Sequence, residues 1–446
     1  MADVSSFKRE LAGKVEEFVR AGFAPRFGEL KGKFPSNPTW KKLKELGTEL
    51  WLDTGNIEEI DTMWTEEFSA VTTNNTLLNK EIQRGVYDDT IKEAARLLDA
   101  FPQLTPQERK LELAFILNAR HGLKLVERFD AYVSVEEHTD LTNDLEGSVE
   151  YARRYYHICP ERFIVKIPLS PAGILATRRV AAEGIPINHT LGFSARQNYV
   201  IARVGAPAYV NVFLGRLNSF TADNQLGDGA LVGERATLAT QAVIRGLRDG
   251  NNLKTRLIGA SFRGGRQVRD LAGIDVMTIP PKVAAEFLQL GLDPEELAYN
   301  AGRLYEPVFD PGANPKASGL MTLWDVDSGL PACVDELEKQ NLDTLSAEQF
   351  VMFFAERGFA NLFVPWTEEE VRASAREGKI PLHNLSNADI PLLAYWGERV
   401  GSGEIGLDAL MNLAGWTSFN EDQKAMDKRV ADVLGNCPIS CGRCCC

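Results

Sequence analysis

Between residues 49 and 279 the chain repeats one alternation: a short apolar run, a polar end, then an amphipathic stretch. The apolar runs read as strands at Glu49–Asp53, Ser69–Thr73, Tyr132–Glu136, Phe163–Pro168, Pro186–Thr190, Tyr209–Phe213, Arg256–Ser261 and Asp275–Ile279. Helical spacing fills gaps at Glu150–Ile158, Ile174–Glu183, Ala195–Val204, Glu234–Arg248, Gln267–Ala272 and Val283–Leu290. The long interval between the second and third strands leaves room for extra helices around Thr90–Leu98 and Glu108–Leu125. Strands linked by helical crossovers predict a parallel α/β architecture. Eight of them favour a closed (β/α)8 TIM barrel over an open sheet.

The flanks do not share this rhythm. Residues 1–46 read as an N-terminal helical segment, with a helix over Phe7–Ala21 and a Lys-rich helix after Pro38. The barrel is expected over 47–295. A Pro/Gly-rich stretch, Glu306 to Pro315, then leads into a helical C-terminal extension over 296–434, with helices at Ala347–Arg357, Glu368–Glu377, Ile390–Arg399 and Glu421–Leu434. No chemistry-bearing motif is visible there; a lid over the barrel mouth and a role in assembly both stay open. The tail, 435–446, carries Cys437, Cys441, Cys444, Cys445 and Cys446. Its spacing matches no standard four-ligand zinc knuckle, which leaves soft-metal binding and redox-labile disulfides as alternatives.

Hydrophobic content of 44% and charged content of 25% fit a globular chain able to bury a core. A net charge of −13 argues against non-specific nucleic-acid binding. The N-terminus has no apolar signal core, and no run of apolar residues is long enough to span a bilayer, so a cytoplasmic protein is expected. An odd number of cysteines, seven, argues against a secreted disulfide framework.

Lys166 stands out inside the apolar run Phe163-Ile164-Val165-Lys166-Ile167-Pro168. Such a lysine either reaches solvent from the strand end or sits in a cavity. Burial disfavours a charged amine, and a neutral amine is the nucleophile a Schiff-base enzyme needs. Catalytic groups of such barrels come from the C-terminal strand ends. Those ends carry Asp53, Asn74, Glu136, Lys166, Asn188 with Thr190, Asn211 with Arg216, and Ser261 with Arg263. Other readings are open for several: helix caps for Asp53 and Asn74, a solvated carboxylate at Glu136 or Glu137, and rim salt bridges for both arginines. His189 reads as a packed strand histidine without a role.

Taken together, the fragments Asp53-Thr54-Gly55-Asn56, Thr72-Thr73-Asn74, Val165-Lys166-Ile167-Pro168, Asn188-His189-Thr190, Phe213-Leu214-Gly215-Arg216, Ala260-Ser261-Phe262-Arg263 and Thr278-Ile279-Pro280-Pro281-Lys282 resemble the transaldolase family over residues 49 to 290. The resemblance implies transfer of a dihydroxyacetone unit from a ketose phosphate, sedoheptulose 7-phosphate or fructose 6-phosphate, to an aldose phosphate, glyceraldehyde 3-phosphate or erythrose 4-phosphate, in the pentose phosphate pathway. By the same resemblance Lys166 matches the Schiff-base lysine and Asp53 the acid/base of carbon–carbon cleavage. Glu136 with Thr190 matches the pair that holds the catalytic water. Asn74 and Asn188 match donor-binding amides; Arg216, Ser261 and Arg263 match the phosphate site. No metal ligand set lies in the barrel, and this chemistry needs no cofactor. The expected partners are phosphorylated sugars, with no nucleic acid and no membrane; a homo-oligomer is left open.

Three departures from that family's pattern stand out. Asn75 replaces the usual proline after Thr-Thr-Asn, Asn211 replaces a serine and faces the donor hydroxyls, and the C-terminal extension is longer than a minimal member needs. Relatives that release free dihydroxyacetone carry glutamine in place of Glu136 and tyrosine in place of Phe213. That lyase activity is the alternative function, and a non-catalytic scaffold is a second rival. A phenylalanine cannot protonate the enamine, so transfer is favoured over release.

Overall fold

A computed structural model describes residues 2–30, 32–251, 253–376, 379–380 and 390–435. The five tail cysteines lie outside the described residues, as do 377–378 and 381–389.

Eight parallel strands close into a barrel in sequence order: β1 (Glu49–Asp53), β2 (Phe68–Thr72), β3 (Tyr132–Glu136), β4 (Phe163–Pro168), β5 (Ile187–Thr190), β6 (Tyr209–Phe213), β7 (Arg256–Ala260) and β8 (Val276–Ile279), with β8 paired to β1. All eight expected strands are present, with ends shifted by a residue in four of them. The extra helices after β2 are Asp88–Asp99 and Pro106–Phe129. The second begins with a Thr105/Glu108 capping box and Pro106 in its first turn, which satisfy the free backbone donors at its start.

Side-chain parity along the strands sets what faces the barrel axis. Trp51, Ala70, Ile164, Ile258, Ala260 and Val276 form a small interior cluster, with Tyr209 and Phe213 packed against it. The Trp51 and Tyr209 rings meet edge to face at 4.9 Å and plug the lower barrel. The intervening residues, such as Phe163, Val165 and Ile167, join the outer core beneath the helices. Two residues beyond an interior plug residue lies the next inward position. On β1 that step runs from Trp51 to Asp53, and on β4 from Ile164 to Lys166.

The C-terminal extension departs from expectation at several points. Its last helix runs from Leu407 to Val433 and so begins fourteen residues earlier than the expected start at Glu421. Its first half is buried on every side, including Leu407, Asp408, Leu410, Met411, Leu413, Phe419 and intervening small residues, so it shows no amphipathic stripe. The helix expected from Ile390 instead begins at Leu393, after a two-residue strand Ile390–Pro391 paired with Lys379–Ile380. The helix from Ala347 ends at Phe354 and loosens into a wider turn, and Gly358 at φ 86° ends the helical path.

The last helix crosses the C-terminal end of the barrel. At its start Asp408 accepts two hydrogen bonds from the Arg196 guanidinium at 2.8 and 2.6 Å and one from the Ser194 hydroxyl at 2.6 Å, all buried. Midway, Asn412 donates to the backbone carbonyls of Leu169 and Leu191, which follow β4 and β5. Farther on, Arg429 forks onto Asp88 at 2.7 and 2.8 Å. Of the two readings left open for this region, covering the mouth is what the packing shows. Among the described residues no helix is long and apolar enough to cross a membrane.

Candidate functional site

Strand pairing brings the inward side chains of neighbouring strands to one level. Glu136 is opposite Lys166, Lys166 is opposite Asn188, and Pro168 is opposite Thr190. The Lys166 ammonium nitrogen lies 3.7 Å from Glu136 Oε2 and 3.4 Å from the Thr73 carbonyl oxygen, and both charged side chains are almost fully buried. Solvent-directed snorkelling of this lysine is therefore excluded. Asn211 Nδ2 donates to Asn188 Oδ1 at 2.6 Å, and Asn188 Nδ2 donates to the Ser134 hydroxyl at 3.0 Å. This chain of amides fixes which end of Asn188 points where. The Thr190 hydroxyl, two residues beyond Asn188 on the same strand, is buried and makes no hydrogen bond within the protein.

Above this floor opens a cavity of about 280 Å³. Asp53, Asn74, Arg216, Ser261 and Arg263 all line it, together with Phe213 and Phe419. The ten residues singled out in the sequence thus fall into two tiers, a closed floor of Lys166, Glu136, Asn188, Thr190 and Asn211 and an open wall of the other five. Asn211 was expected to face a substrate's hydroxyls. It lies in the floor, its Nδ2 donating to Asn188 and its Oδ1 making no hydrogen bond within the protein.

Local structure explains the wall. Gly215 sits where a Cβ would come within 2.0 Å of the Ser261 carbonyl oxygen and 2.6 Å of Arg263 Cγ, so the ends of β6 and β7 can approach only through a glycine. Ser261 itself takes a left-handed backbone, φ 64°, which turns the chain so that Arg263 follows it into the cavity. Asn74 is the N-cap of the helix Asn75–Gln83, its side-chain oxygen accepting from the Leu77 N–H at 2.8 Å. The capping role open for Asn74 is real, and the same carboxamide borders the cavity. Asp53 caps nothing; the following helix, Ile57–Met63, is capped by Asn56.

The electrostatics of the two tiers differ from ordinary surface values. Burial pushes the Asp53 carboxyl up to about 6, against the opposing pull of the Lys166, Arg263 and Lys80 charges. Burial also raises Glu136, with Lys166 and the Asn75 N–H pulling the other way. Glu137 is buried as well, not solvated, and is raised well above the carboxylate range by desolvation. His189 is held neutral by burial, its value lowered to about 3, and its Nδ1 meets the Thr177 hydroxyl at 2.9 Å on the outer side of β5.

Some cavity residues carried no sequence signal. Lys80, one turn beyond Leu77 on the capped helix, adds positive charge to the wall, beside Lys282 of the fragment after β8. Phe419, from the C-terminal helix, lies 5.8 Å from the Lys166 nitrogen and 5.7 Å from the Arg216 guanidinium, and its ring meets Phe213 edge to face. Nothing in the residues around Phe419 pointed to this. Among the described residues no cluster of three metal-ligating side chains occurs.

Comparison with known proteins points to one family. The family model described as transaldolase/fructose-6-phosphate aldolase matches residues 50–324. A probable transaldolase of Thermus thermophilus is 33% identical over 245 residues, covering 54% of this chain and 91% of the relative. A transaldolase of Methylococcus capsulatus is 30% identical over 244 residues, 52% of this chain and 72% of the relative. A transaldolase of Nostoc punctiforme is 28% identical over 328 residues and aligns with 70% of this chain and 95% of its own length.

Proposed function

The chain belongs to the transaldolase/fructose-6-phosphate aldolase family, and from that premise we propose that it is a transaldolase of the pentose phosphate pathway, moving a dihydroxyacetone unit between phosphorylated sugars through a Schiff base on Lys166. The observation that carries this reading is the buried Lys166 nitrogen 3.7 Å from Glu136 Oε2, beneath a cavity bordered by Asp53 and two arginines. A buried lysine between carboxylates, under a cationic wall, suits an anionic carbonyl substrate.

The phosphate of a ketose phosphate is gripped by Arg216, Arg263 and Ser261, the planar guanidinium forks matching its oxygens. Lys166 passes a proton to Glu136, 3.7 Å away, and its amine attacks the C2 ketone. Glu136, with the Thr190 hydroxyl, moves protons through water as the carbinolamine loses its hydroxyl and becomes the imine. Asp53, ionised above its value of about 6, takes the C4 hydroxyl proton; the C3–C4 bond breaks and an aldose phosphate leaves. The remaining three carbons stay on Lys166 as an enamine, with Asn74 and Asn188 binding its hydroxyls, until a second aldose phosphate adds and Asp53 returns the proton.

Phe213, Phe193 and Phe419 bear on the choice between transfer and release. Their rings pack together with centroids 5.8 and 6.4 Å from that of Phe213. No tyrosine lines the cavity among the described residues. With a phenyl ring at Phe213 in place of a phenol, that position offers the enamine no proton, which favours a waiting intermediate over hydrolysis to free dihydroxyacetone.

The test is reduction with borohydride in the presence of fructose 6-phosphate, followed by peptide mapping. The adduct is expected on Lys166 and absent in Lys166→Ala. An adduct on another lysine, or none, overturns the reading. Release of free dihydroxyacetone as fast without an aldose acceptor as with one makes the protein a lyase instead.

A further inference from the structure

The helix that follows β2 opens with Asn75, and this one residue reaches both members of the buried Glu136–Glu137 pair. Its backbone N–H donates to Glu136 Oε2 at 3.2 Å, and its side-chain Nδ2 donates to the Glu137 carbonyl at 3.2 Å. Oε2 is also the Glu136 oxygen nearest the Lys166 nitrogen. Asn75 is itself 1% exposed, so these contacts are made away from bulk water. A hydrogen bond to an ionised carboxylate in such surroundings is stronger than one at the surface.

Resting on the roles of Lys166 and Glu136 given above, we propose that Asn75 is a positioning residue for imine formation: its N–H aims the Glu136 carboxylate at the Lys166 nitrogen, and its carboxamide ties the end of β3 to the helix that supplies that N–H. The device needs a residue with a free amide hydrogen. Proline, which the resemblance leads one to expect here, has none. The ionisable groups facing Glu136 are Lys166 from β4, Asp53 from β1 and the adjoining Glu137; Asp422 of the C-terminal helix is engaged by the Thr76 hydroxyl in the first turn of the same helix as Asn75.

The geometry also supplies a clean variant. Asn74 is extended, φ −154° and ψ 172°, which is where a residue before proline sits, and Asn75 is the first helical residue, where proline is tolerated. Asn75→Pro therefore deletes the N–H together with the carboxamide, whereas Asn75→Ala deletes only the carboxamide, so the difference between the two variants isolates the N–H.

Two readouts apply, one with substrate and one without. The first is the pH dependence of single-turnover imine formation with fructose 6-phosphate, trapped by borohydride; it precedes carbon–carbon cleavage and so is blind to the proton Asp53 moves. Loss of a donor to a carboxylate raises its pKa, so Asn75→Pro is expected to move the acid limb up by about one pH unit and slow the plateau about tenfold. Asn75→Ala, which loosens the tie to β3 but keeps the N–H, should move the limb far less than Asn75→Pro does. The second readout is the titration of Glu136 by carbon-13 NMR in the absence of sugar, which should rise in Asn75→Pro and far less in Asn75→Ala. If Asn75→Pro titrates and reacts as the unaltered protein does, or if Asn75→Ala shifts the limb as far as Asn75→Pro, the proposal is overturned. The NMR arm holds even where no adduct forms on Lys166, an outcome that sinks the transaldolase reading by itself.

Discussion

Strand β1 carries a carboxylate at each end, and the protein treats them in opposite ways. Glu49, at the N-terminal end of the barrel, accepts hydrogen bonds from Trp51 Nε1 at 2.7 Å and the Ser69 hydroxyl at 2.8 Å, and is ion-paired to Arg256. Burial would raise its carboxyl, but the Arg256 charge and these donors outweigh it and hold Glu49 below the ordinary range. Nearby, Asp275 is held low in the same way by Arg248 and Gln241. Asp53, four residues along the same strand, borders a cavity, and there burial wins and lifts its carboxyl to about 6. At one rim the partners of the carboxylate outweigh its burial; at the other, burial outweighs the charges around it. That division matches the general split of such barrels into a stabilising face and a reactive face.

The largest expected break in this comparison is functional. Asp53→Asn should lower kcat by about 10²- to 10⁴-fold, the range of a positioned acid–base group. Borohydride should still trap an adduct on Lys166, because imine formation does not need Asp53. Aldose release measured beside trapping checks this; loss of both would move Asp53 out of the cleavage step. Next in size, Arg263→Ala should cut kcat/KM for phosphorylated ketoses by roughly 10- to 100-fold, the value of a charged hydrogen bond or two. An unphosphorylated ketose should be affected far less. Equal losses on both substrates would mean that Arg263 shapes the cavity and does not grip phosphate.

A third substitution belongs to the opposite rim. Glu49→Gln should cost roughly 1–3 kcal/mol of stability at neutral pH, since it leaves Arg256 without its buried partner. Because the folded value of Glu49 is depressed, its contribution is present above the unfolded value and is lost as pH falls through the folded one. The deficit should therefore shrink in acid, and steady-state kinetics should be unaltered. Urea unfolding followed from pH 7 down through the carboxylate range measures it; a deficit that does not shrink with falling pH would assign the effect to packing rather than to charge.

The two rims were not equally legible in the sequence. Strands of a parallel barrel are covered on both faces, so they read as short continuous apolar runs, and a lysine inside one of them, Lys166, is conspicuous. The C-terminal strand ends did the rest, carrying Asp53, Glu136 and Thr190; in the fold Asp53 lies two residues beyond the inward Trp51 and Lys166 two beyond Ile164. What escaped were groups brought in from outside the strand frame. Phe419 arrives on a helix buried all round, which has no stripe to betray its direction. Lys80 looks like any helix-surface lysine until the cap at Asn74 sets the helix beside the cavity. Glu137 follows a strand end where a solvated carboxylate is the ordinary outcome, and only the packing of the helices around β3 buries it. The N–H of Asn75 is invisible because its partner, Glu136, is brought to it by folding.

The smallest expected effect sharpens the comparison most, because it reverses the sign found at Glu49. Asp53 has a folded value raised from 3.8 to about 6, so the folded protein holds that proton more tightly than the unfolded chain does. Its favourable contribution is complete below the unfolded value and is lost as pH rises through the folded one. At neutral pH the ionised Asp53 is therefore a liability to stability, up to about 3 kcal/mol in size. Asp53→Asn should make the protein more stable at pH 7.5 and indifferent at pH 4, where the native carboxyl is already protonated, while nearly abolishing turnover. Urea midpoints at the two pH values test this directly. A variant that is less stable at pH 7.5 would mean that Lys166 and Arg263 need the Asp53 charge more than its burial resists it, and the contrast between the two ends of β1 would fall.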